Sequence, residues 1–443
     1  MFDVSQNQRE RAVLVGVAGR GVSRYETDDS LDELALLAET AGAEVIDRVV
    51  QERARIDATY YIGRGKAEFI GALTGEQKID VIIFDDDLSP AQAKNLGELM
   101  SRSNQLSEAK VIDRSGLILD IFARRARSRE ARTQVELAQL RYLLPRLTRQ
   151  WTHFSRHVGG IGTRGPGETQ LETDRRLIRS RIRHLEKEME KIERQRDTRR
   201  QHRHEIFKVA LVGYTNAGKS TLLNALTGAD AFVEDQLFAT LDPTVRAMPI
   251  GDHRNVVLID TVGFIRKLPH HLVASFKSTL DEVRDADLLL HVIDVTHPTF
   301  AAQIDVVNEV LKELGVAEYP RLHVFNKVDA LQEKGQIDRL REEYAPAIFI
   351  SAQRGIFLEE LKARIAAFAA SETAEMDIDL ANSETEMLAK LHTLGRVIQT
   401  EYDGDNRVHV KVRASQANAQ KIKHLLAQNN DHHTVDATLV ARE

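Results

Sequence analysis

The chain has 443 residues, 42% of them hydrophobic, no cysteine, and a formal net charge of −6. That length suggests about three domains, and the missing cysteines exclude disulfide scaffolds and thiolate metal sites and are compatible with a reducing cytosol. The N-terminus lacks the basic and apolar regions of a secretory signal and no apolar stretch approaches the ~20 residues of a bilayer span, so a cytoplasmic protein is expected.

The N-terminal part alternates strand and helix signals. Arg11 to Ala18, Val45 to Val50, Val81 to Phe84 and Val111-Ile112 are short apolar runs. Between them, Leu31 to Ala38 has helical spacing and stops near Gly42, and Ala91 to Met100 forms a helix started by Ser89-Pro90. Strands alternating with helices predict an α/β domain with a parallel sheet over residues 1–123. Gly63-Arg64-Gly65-Lys66 reads as a short basic loop without phosphate-loop spacing. Arg64 and Lys66 are candidates for RNA contact, a plain turn being the alternative.

Residues 124–205 are unlike the rest. From Arg124 to His204 there are 22 Lys and Arg against 10 Asp and Glu, a surplus of 12 positive charges, so the remainder carries −18. A basic segment on an otherwise acidic chain is the footprint of nucleic-acid contact, and arginine in excess of lysine suits bidentate phosphate binding. The competing reading is a solvated charged helix face. Leu137, Leu140, Leu144, Leu147 and Trp151 alternate spacings of three and four, as do Ile178, Ile182, Leu185, Met189 and Ile192. Two such seams predict an antiparallel, coiled-coil-like helical hairpin, kinked at Pro145. Its tip, Gly159 to Gly167, holds Arg164 and follows Arg156 and His157. Glycines allow close backbone approach, so Arg156, Gly159, Gly160, Arg164, Gly165 and Gly167 are the candidate RNA contacts.

Residues 206–370 carry the chemistry. Val209 to Val212 reads as a buried strand entering Gly213-Tyr214-Thr215-Asn216-Ala217-Gly218-Lys219-Ser220, and Ser220 to Leu226 leaves it with helical spacing. The octapeptide fits the phosphate-binding pattern at every fixed position: backbone N–H groups converge on the β-phosphate, Lys219 reaches the β/γ-phosphates and Ser220 ligates Mg2+. Asn255 to Ile259 is a strand delivering Asp260-Thr261-Val262-Gly263. Asp260 is expected to hold Mg2+ through water and the Gly263 N–H to meet the γ-phosphate. Upstream, Phe238-Ala239-Thr240-Leu241-Asp242 supplies Thr240 as a Mg2+ and γ-phosphate sensor, with Thr244 as competitor. Leu322 to Phe325 leads into Asn326-Lys327-Val328-Asp329, where the Asp329 carboxylate accepts from guanine N1–H and the 2-amino group. Adenine lacks that donor pair. Ser351-Ala352-Gln353 is expected to close over the base. After the Asp-x-x-Gly run comes Phe264, whose ring cannot orient water, so Phe264 acts as a switch anchor rather than a base and unaided hydrolysis is expected to be slow.

Ser371-Glu372-Thr373-Ala374-Glu375 reads as a linker into a small α+β domain over residues 376–443. Met376 to Leu380 is a strand, Glu384 to Leu394 a helix, Arg396 to Glu401 and Arg407 to Val412 flank a turn at Asp403 to Asn406, and Gln416 to Ala427 is a second helix. His432-His433 reads as solvated loop rather than a metal site.

The motifs of residues 206–370 occur in the order of a Ras-like GTPase, and the chain resembles that superfamily there. Beyond it, the run Gly159-Gly160-Ile161-Gly162-Thr163-Arg164-Gly165-Pro166-Gly167-Glu168-Thr169-Gln170-Leu171-Glu172, the run Val111 to Phe122, Tyr61 to Lys66 and the switch Phe238 to Thr244 resemble the HflX family of ribosome-associated GTPases. The resemblance implies a GTP hydrolase that binds the large ribosomal subunit and its rRNA and separates stalled or stressed ribosomes. It also implies Mg2+ as cofactor, and K+ held by Asn216 between the phosphates. A monomer without a membrane span is expected. The alternatives are an RNA-remodelling NTPase using ATP at the N-terminal domain, and a GTP-dependent protein-binding switch with a dimerising arm.

Overall fold

The computed structural model describes residues 9–19, 21–103, 109–150, 166–200, 206–228, 237–250, 254–267, 282–331, 336–371, 373–381, 385–403, 407–415, 419, 421–423, 425–426 and 435–438. Three sheets organise them. The first has order β2-β1-β3-β4, from β1 (Glu10–Ala18), β2 (Ala43–Glu52), β3 (Val81–Phe84) and β4 (Lys110–Asp113). Every pairing in it is parallel. β1 and β3 are buried on both faces, as a continuous apolar strand must be when helices cover both sides.

Those helices are α1 (Arg24–Thr40), α2 (Arg64–Gln77), α3 (Pro90–Ser103) and α4 (Arg114–Arg125). A capping box starts α1: Glu26 N–H donates to Ser23 Oγ at 3.1 Å, and Ser23 N–H to the Glu26 carboxylate at 2.7 Å. The basic loop expected at Gly63 to Lys66 is instead a helix start. Gly63 is the N-cap of α2, and burial of Ala67, Ile70 and Leu73 against the sheet outweighs the weak helix propensity of the glycines.

The basic segment forms the expected hairpin of α5 (Arg129–Gln150) and α6 (Pro166–Arg200). α5 continues through Pro145. Leu137 of α5 and Leu185 of α6 are buried. Arg129 pairs with Glu188, and Glu136 with Arg181 at 2.6 Å, numbers falling along α6 as they rise along α5. α5 has a second apolar face. Ala131, Val135 and Ala138 are buried in one cluster with Leu31 and Leu34 of α1 and Leu117 and Phe122 of α4, so the first helix of the arm is built into the N-terminal core.

The central sheet has order β10-β9-β8-β5-β7-β6. Its strands are β5 (Lys208–Gly213), β6 (Thr244–Ile250), β7 (Arg254–Asp260), β8 (Leu288–Asp294), β9 (Arg321–Asn326) and β10 (Ala347–Phe349). Only the β6–β7 pairing is antiparallel. α7 (Lys219–Thr227), α8 (Phe300–Glu313), α9 (Gln336–Glu343) and α10 (Leu358–Ser371) complete this domain. It is the doubly wound arrangement in which ligands sit at the carboxyl ends of the strands.

Of the linker expected at residues 371–375, Ser371 ends α10 and residues 373–375 open β11 (Thr373–Ala381), while Glu372 lies outside the described residues. α11 (Thr385–Leu394), β12 (Arg396–Asp403), β13 (Arg407–Ser415) and β14 (Val435–Thr438) follow. The antiparallel sheet runs β12-β13-β11-β14, a fourth strand beyond those read from the sequence. Residues 404–406 of the expected turn and His432-His433 lie outside the described residues. No described helix is long and apolar enough to cross a membrane.

Candidate functional site

β5 delivers its loop at the carboxyl edge of the central sheet, and backbone geometry demands the glycines. A Cβ on Gly213 would lie 2.2 Å from the Val292 carbonyl oxygen, and one on Gly218 2.3 Å from Asn326 Nδ2. Gly218 is the N-cap of α7, whose N–H groups and dipole favour an anion in the loop. The buried Lys219 ammonium donates to the carbonyl oxygens of Tyr214 at 2.7 Å and Gly213 at 3.1 Å. Burial pulls its pKa down to about 8, the nearby Asp260 charge opposing the shift.

Three oxygen-bearing side chains meet beside it. Asp260 Oδ2 accepts from Ser220 Oγ at 2.6 Å and from Thr240 Oγ1 at 2.9 Å, and the two hydroxyl oxygens lie 2.9 Å apart. Asp260 Oδ1 is buried with no partner, and burial raises the carboxyl's pKa against the Lys219 charge and these hydrogen bonds. Hard oxygens with one orphaned lone-pair set fit Mg2+, which completes its shell with phosphate oxygens and water. Thr240 stands in this cluster, whereas Thr244 opens β6 in register with Asp260.

The pocket is lined by Thr215, Asn216, Gly218, Lys219, Ser220 and Thr221 of the loop and helix, Phe238, Ala239 and Thr240 of the first switch, and Thr261 and Gly263 of the second. Other expected contacts serve as supports. The Thr261 hydroxyl donates to the Leu211 carbonyl at 2.7 Å. Val262 and Leu241 are buried in the apolar core. Asp242 turns away, toward the start of α5. Gly263 abuts the loop: a Cβ there would lie 2.8 Å from Thr215 Cα. Phe264 is fully buried. Its N–H donates to Gly213 O at 3.1 Å and its carbonyl accepts from Thr215 N–H at 2.8 Å, and its ring belongs to the apolar core.

At the base end, Asn326 acts as a brace. Its Nδ2 donates to Ala217 O at 2.9 Å and its Oδ1 accepts from Ala352 N–H at 2.9 Å, joining the phosphate loop to the Ser351–Gln353 segment. Lys327, at φ 68°, pairs with Asp294 at 2.6 Å, and Val328 packs on a side cluster with Ile293 and Phe325. Asp329 is the middle residue of a single 3-10 turn, Val328–Ala330. Its carboxyl is held below the usual range by a hydrogen bond from Ser351 and by Arg354, whose Nε is 3.1 Å away. Gln353 is exposed.

Sequence reading missed the contacts between the switches and the N-terminal domain. Tyr214 OH bonds to Glu33 and accepts from Arg266 N–H at 2.8 Å. Arg266 pairs with Asp29, and Lys267 with Asp85 and Asp86 at 2.5 Å each. Buried Arg114 joins Asp85 at 2.6 Å and Glu33. The Asp85-Asp86-Asp87 run and the Arg266-Lys267 pair are the only signals for this, and nothing local links them.

Arg156, Gly159, Gly160, Arg164 and Gly165 of the arm's tip lie outside the described residues, and Gly167 falls in the first turn of α6. Along α6, Arg175, Arg176, Arg179 and Arg183 line a groove with Leu144 and Ile182. Arg64 pairs with Glu68 at 2.9 Å, and Lys66 sits 5.2 Å over the Phe69 ring.

A glycine-walled phosphate loop, two switch segments sharing one carboxylate, and an Asn-Lys-x-Asp turn braced to the loop define a P-loop GTPase. Residues 208–327 match the family described as 50S ribosome-binding GTPase. Residues 28–123 match the GTP-binding GTPase N-terminal family and 125–203 the GTP-binding GTPase middle region. GTPase HflX of Caldanaerobacter subterraneus is 48% identical over 402 residues, 89% of each chain. GTPase HflX of Escherichia coli is 44% identical over 420 residues, 93% of this chain and 95% of that one. A solved complex of SsGBP with GDP aligns with 81% of this chain and 98% of its own at 29% identity, with a TM-score of 0.47. The chain belongs to the HflX family of GTPases.

Proposed function

We propose that this GTPase binds the large ribosomal subunit and its rRNA in the GTP-bound state and separates stalled or stressed ribosomes into subunits. It works as a cytoplasmic monomer. The observation that carries the reading is the union of a nucleotide switch with a strongly basic arm. Four arginines of α6 line one groove, and phosphate contacts supply most of the affinity for RNA. The match of residues 208–327 to a family described as ribosome-binding supports the same partner. To these arginines we add the expected tip residues Arg156, Gly159, Gly160, Arg164, Gly165 and Gly167 as RNA contacts.

Within the pocket, Ser220 and Thr240 would hold Mg2+, with Asp260 hydrogen-bonded to both hydroxyls. Bound there, Mg2+ neutralises charge on the β- and γ-phosphate oxygens. Lys219 would neutralise the same phosphates, and the Gly263 N–H would meet the γ-phosphate. Asp329 reads guanine. Asn216 is exposed at φ 60° and lines the pocket, and we assign it the K+ ligand that the family resemblance implies. Because Phe264 offers no proton or lone pair to water, the ribosome completes the site. The carboxyl edge of the N-terminal sheet, where a nucleotide would bind in such a fold, carries Asp85 and Asp86 and is occupied by Lys267, so no observation favours ATP there.

Sedimentation with purified ribosomes tests the reading. The protein should pellet with the large subunit under a non-hydrolysable GTP analogue and be released under GDP. Replacing Arg175 and Arg179 by alanine should weaken binding and lower its salt slope by about one unit per lost phosphate contact. Equal pelleting in both nucleotides would contradict the switch.

A further inference from the structure

We propose that Asp242 is a positioning residue that makes the placement of Thr240 conditional on the seating of helix α5, coupling the arm directly to the nucleotide. Asp242 lies two residues beyond Thr240 and does not line the pocket. Its carboxylate accepts from the backbone N–H of Arg127 at 2.8 Å and of Ser128 at 3.1 Å, and from the Ser128 hydroxyl. Ser128 Oγ in turn accepts from Ala131 N–H at 3.0 Å. The switch therefore supplies a negative charge to the two residues that lead into a 22-residue helix beginning at Arg129, where the dipole favours it, while Ser128 Oγ caps the Ala131 N–H.

Packing makes the joint stiff. Leu237, Phe238 and Leu241 are buried in one cluster with Phe122 of α4 and Ala131 and Val135 of α5. The Phe238 ring meets Phe122 edge-on at 4.7 Å. Only Leu241 separates the residue that touches Ser220 and Asp260 from the residue that touches the arm. α5 is zipped to α6 by the Glu136–Arg181 and Arg129–Glu188 pairs, so a displacement of the hairpin reaches Thr240 through Ser128 and Asp242. The converse also holds: a nucleotide that draws Thr240 onto Mg2+ holds the start of α5 in place. GTP needs Thr240 and GDP does not, so the joint discriminates between the two nucleotides without touching either.

This inference rests on Thr240 as the Mg2+-holding residue, and the experiment separates the two. Affinities for GDP and for a non-hydrolysable GTP analogue, both with Mg2+, are measured by displacement of a fluorescent GDP from the full chain. Asp242→Ala should lower the analogue-over-GDP preference by about tenfold, the size of a lost helix cap, with GDP affinity unchanged. Ser128→Ala, on the arm and outside the pocket, should lower it by about threefold. The two effects should be less than additive in the double variant, because both remove the bond between the Ser128 hydroxyl and Asp242. Asp242→Asn, which keeps an acceptor for the N–H groups, should recover part of the loss. A merely structural role would lower the melting temperature, or both affinities together, and leave the preference intact. Thr240→Ala is the control. If it abolishes the preference while Asp242→Ala and Ser128→Ala leave it intact, the coupling is overturned alone. If none of the three changes it, the Thr240 assignment falls and takes the coupling with it. Should Asp242→Ala fail to fold, the Ser128→Ala preference decides: a fall supports the coupling and no change overturns it.

Discussion

Two parallel sheets in this molecule present opposite chemistry at the same kind of edge. The central sheet ends in a glycine loop, a buried lysine and a helix N-terminus, all arranged for a free anion. The N-terminal sheet ends in Asp85 and Asp113, whose charges are met by Arg114, Arg146 and Lys267. The first edge is a ligand site. The second is satisfied by the protein itself, and one of its cations comes from the second switch of the first. Architecture thus fixes where a site can be, and the charge of the loop residues decides whether it stays open.

The largest effect expected from breaking this contrast is at Arg114. Its side chain is 1% exposed between Asp85 and Glu33. Arg114→Met should leave Asp85 to Lys267 and the Ser30 hydroxyl and Glu33 to the Tyr214 hydroxyl, and destabilise the N-terminal domain by about 3 kcal/mol, read from chemical denaturation. On the ligand side, Asp329→Asn should weaken GTP binding by about 2–3 kcal/mol while XTP gains, since the charged acceptor pair is lost. Isothermal titration with both nucleotides checks this, and equal GTP affinities in variant and parent would remove Asp329 as the guanine reader.

Lys219 sharpens the comparison through pH. Its pKa of about 8 in the free protein must rise when phosphates bind, because they favour the charged form. Below about pH 7 the ammonium is already charged and affinity should be nearly flat, with the fall setting in as pH approaches 8. Above pH 8 binding must take up a proton, so affinity should fall toward tenfold per pH unit. The smallest effect is at Lys267, whose side chain is 43% exposed. Lys267→Ala should cost under ~1 kcal/mol in thermal denaturation, as solvent screens the pair.

How legible each part was depends on how local its physics is. The phosphate loop, Asp260 and the Asn326–Asp329 turn are contiguous, since a backbone that wraps a phosphate or a base must do so within a few residues. Apolar runs such as Val81 to Phe84 marked the buried strands for the same reason. The second face of α5 was hidden because Ala131 and Ala138 are small and do not stand out in a helical stripe. The expected linker misled because Glu375, Asp377 and Asp379 look acidic and polar, yet they alternate with the buried Met376, Ile378 and Leu380, the period of a strand with one face in the core. At Gly63 to Lys66, weak local propensity lost to tertiary burial. Tyr214 and Glu33, 181 residues apart, meet only because two domains dock, which no local pattern records.

The most direct test of the account is the rate of GTP hydrolysis with and without ribosomes. A buried Phe264 and a pocket with no water-orienting side chain at that position predict slow turnover by the free protein and at least about tenfold acceleration by ribosomes, or more than ~1.4 kcal/mol of barrier. Phe264→Ala should change the accelerated rate only modestly. A free protein that already hydrolyses GTP at the ribosome-stimulated rate would contradict it.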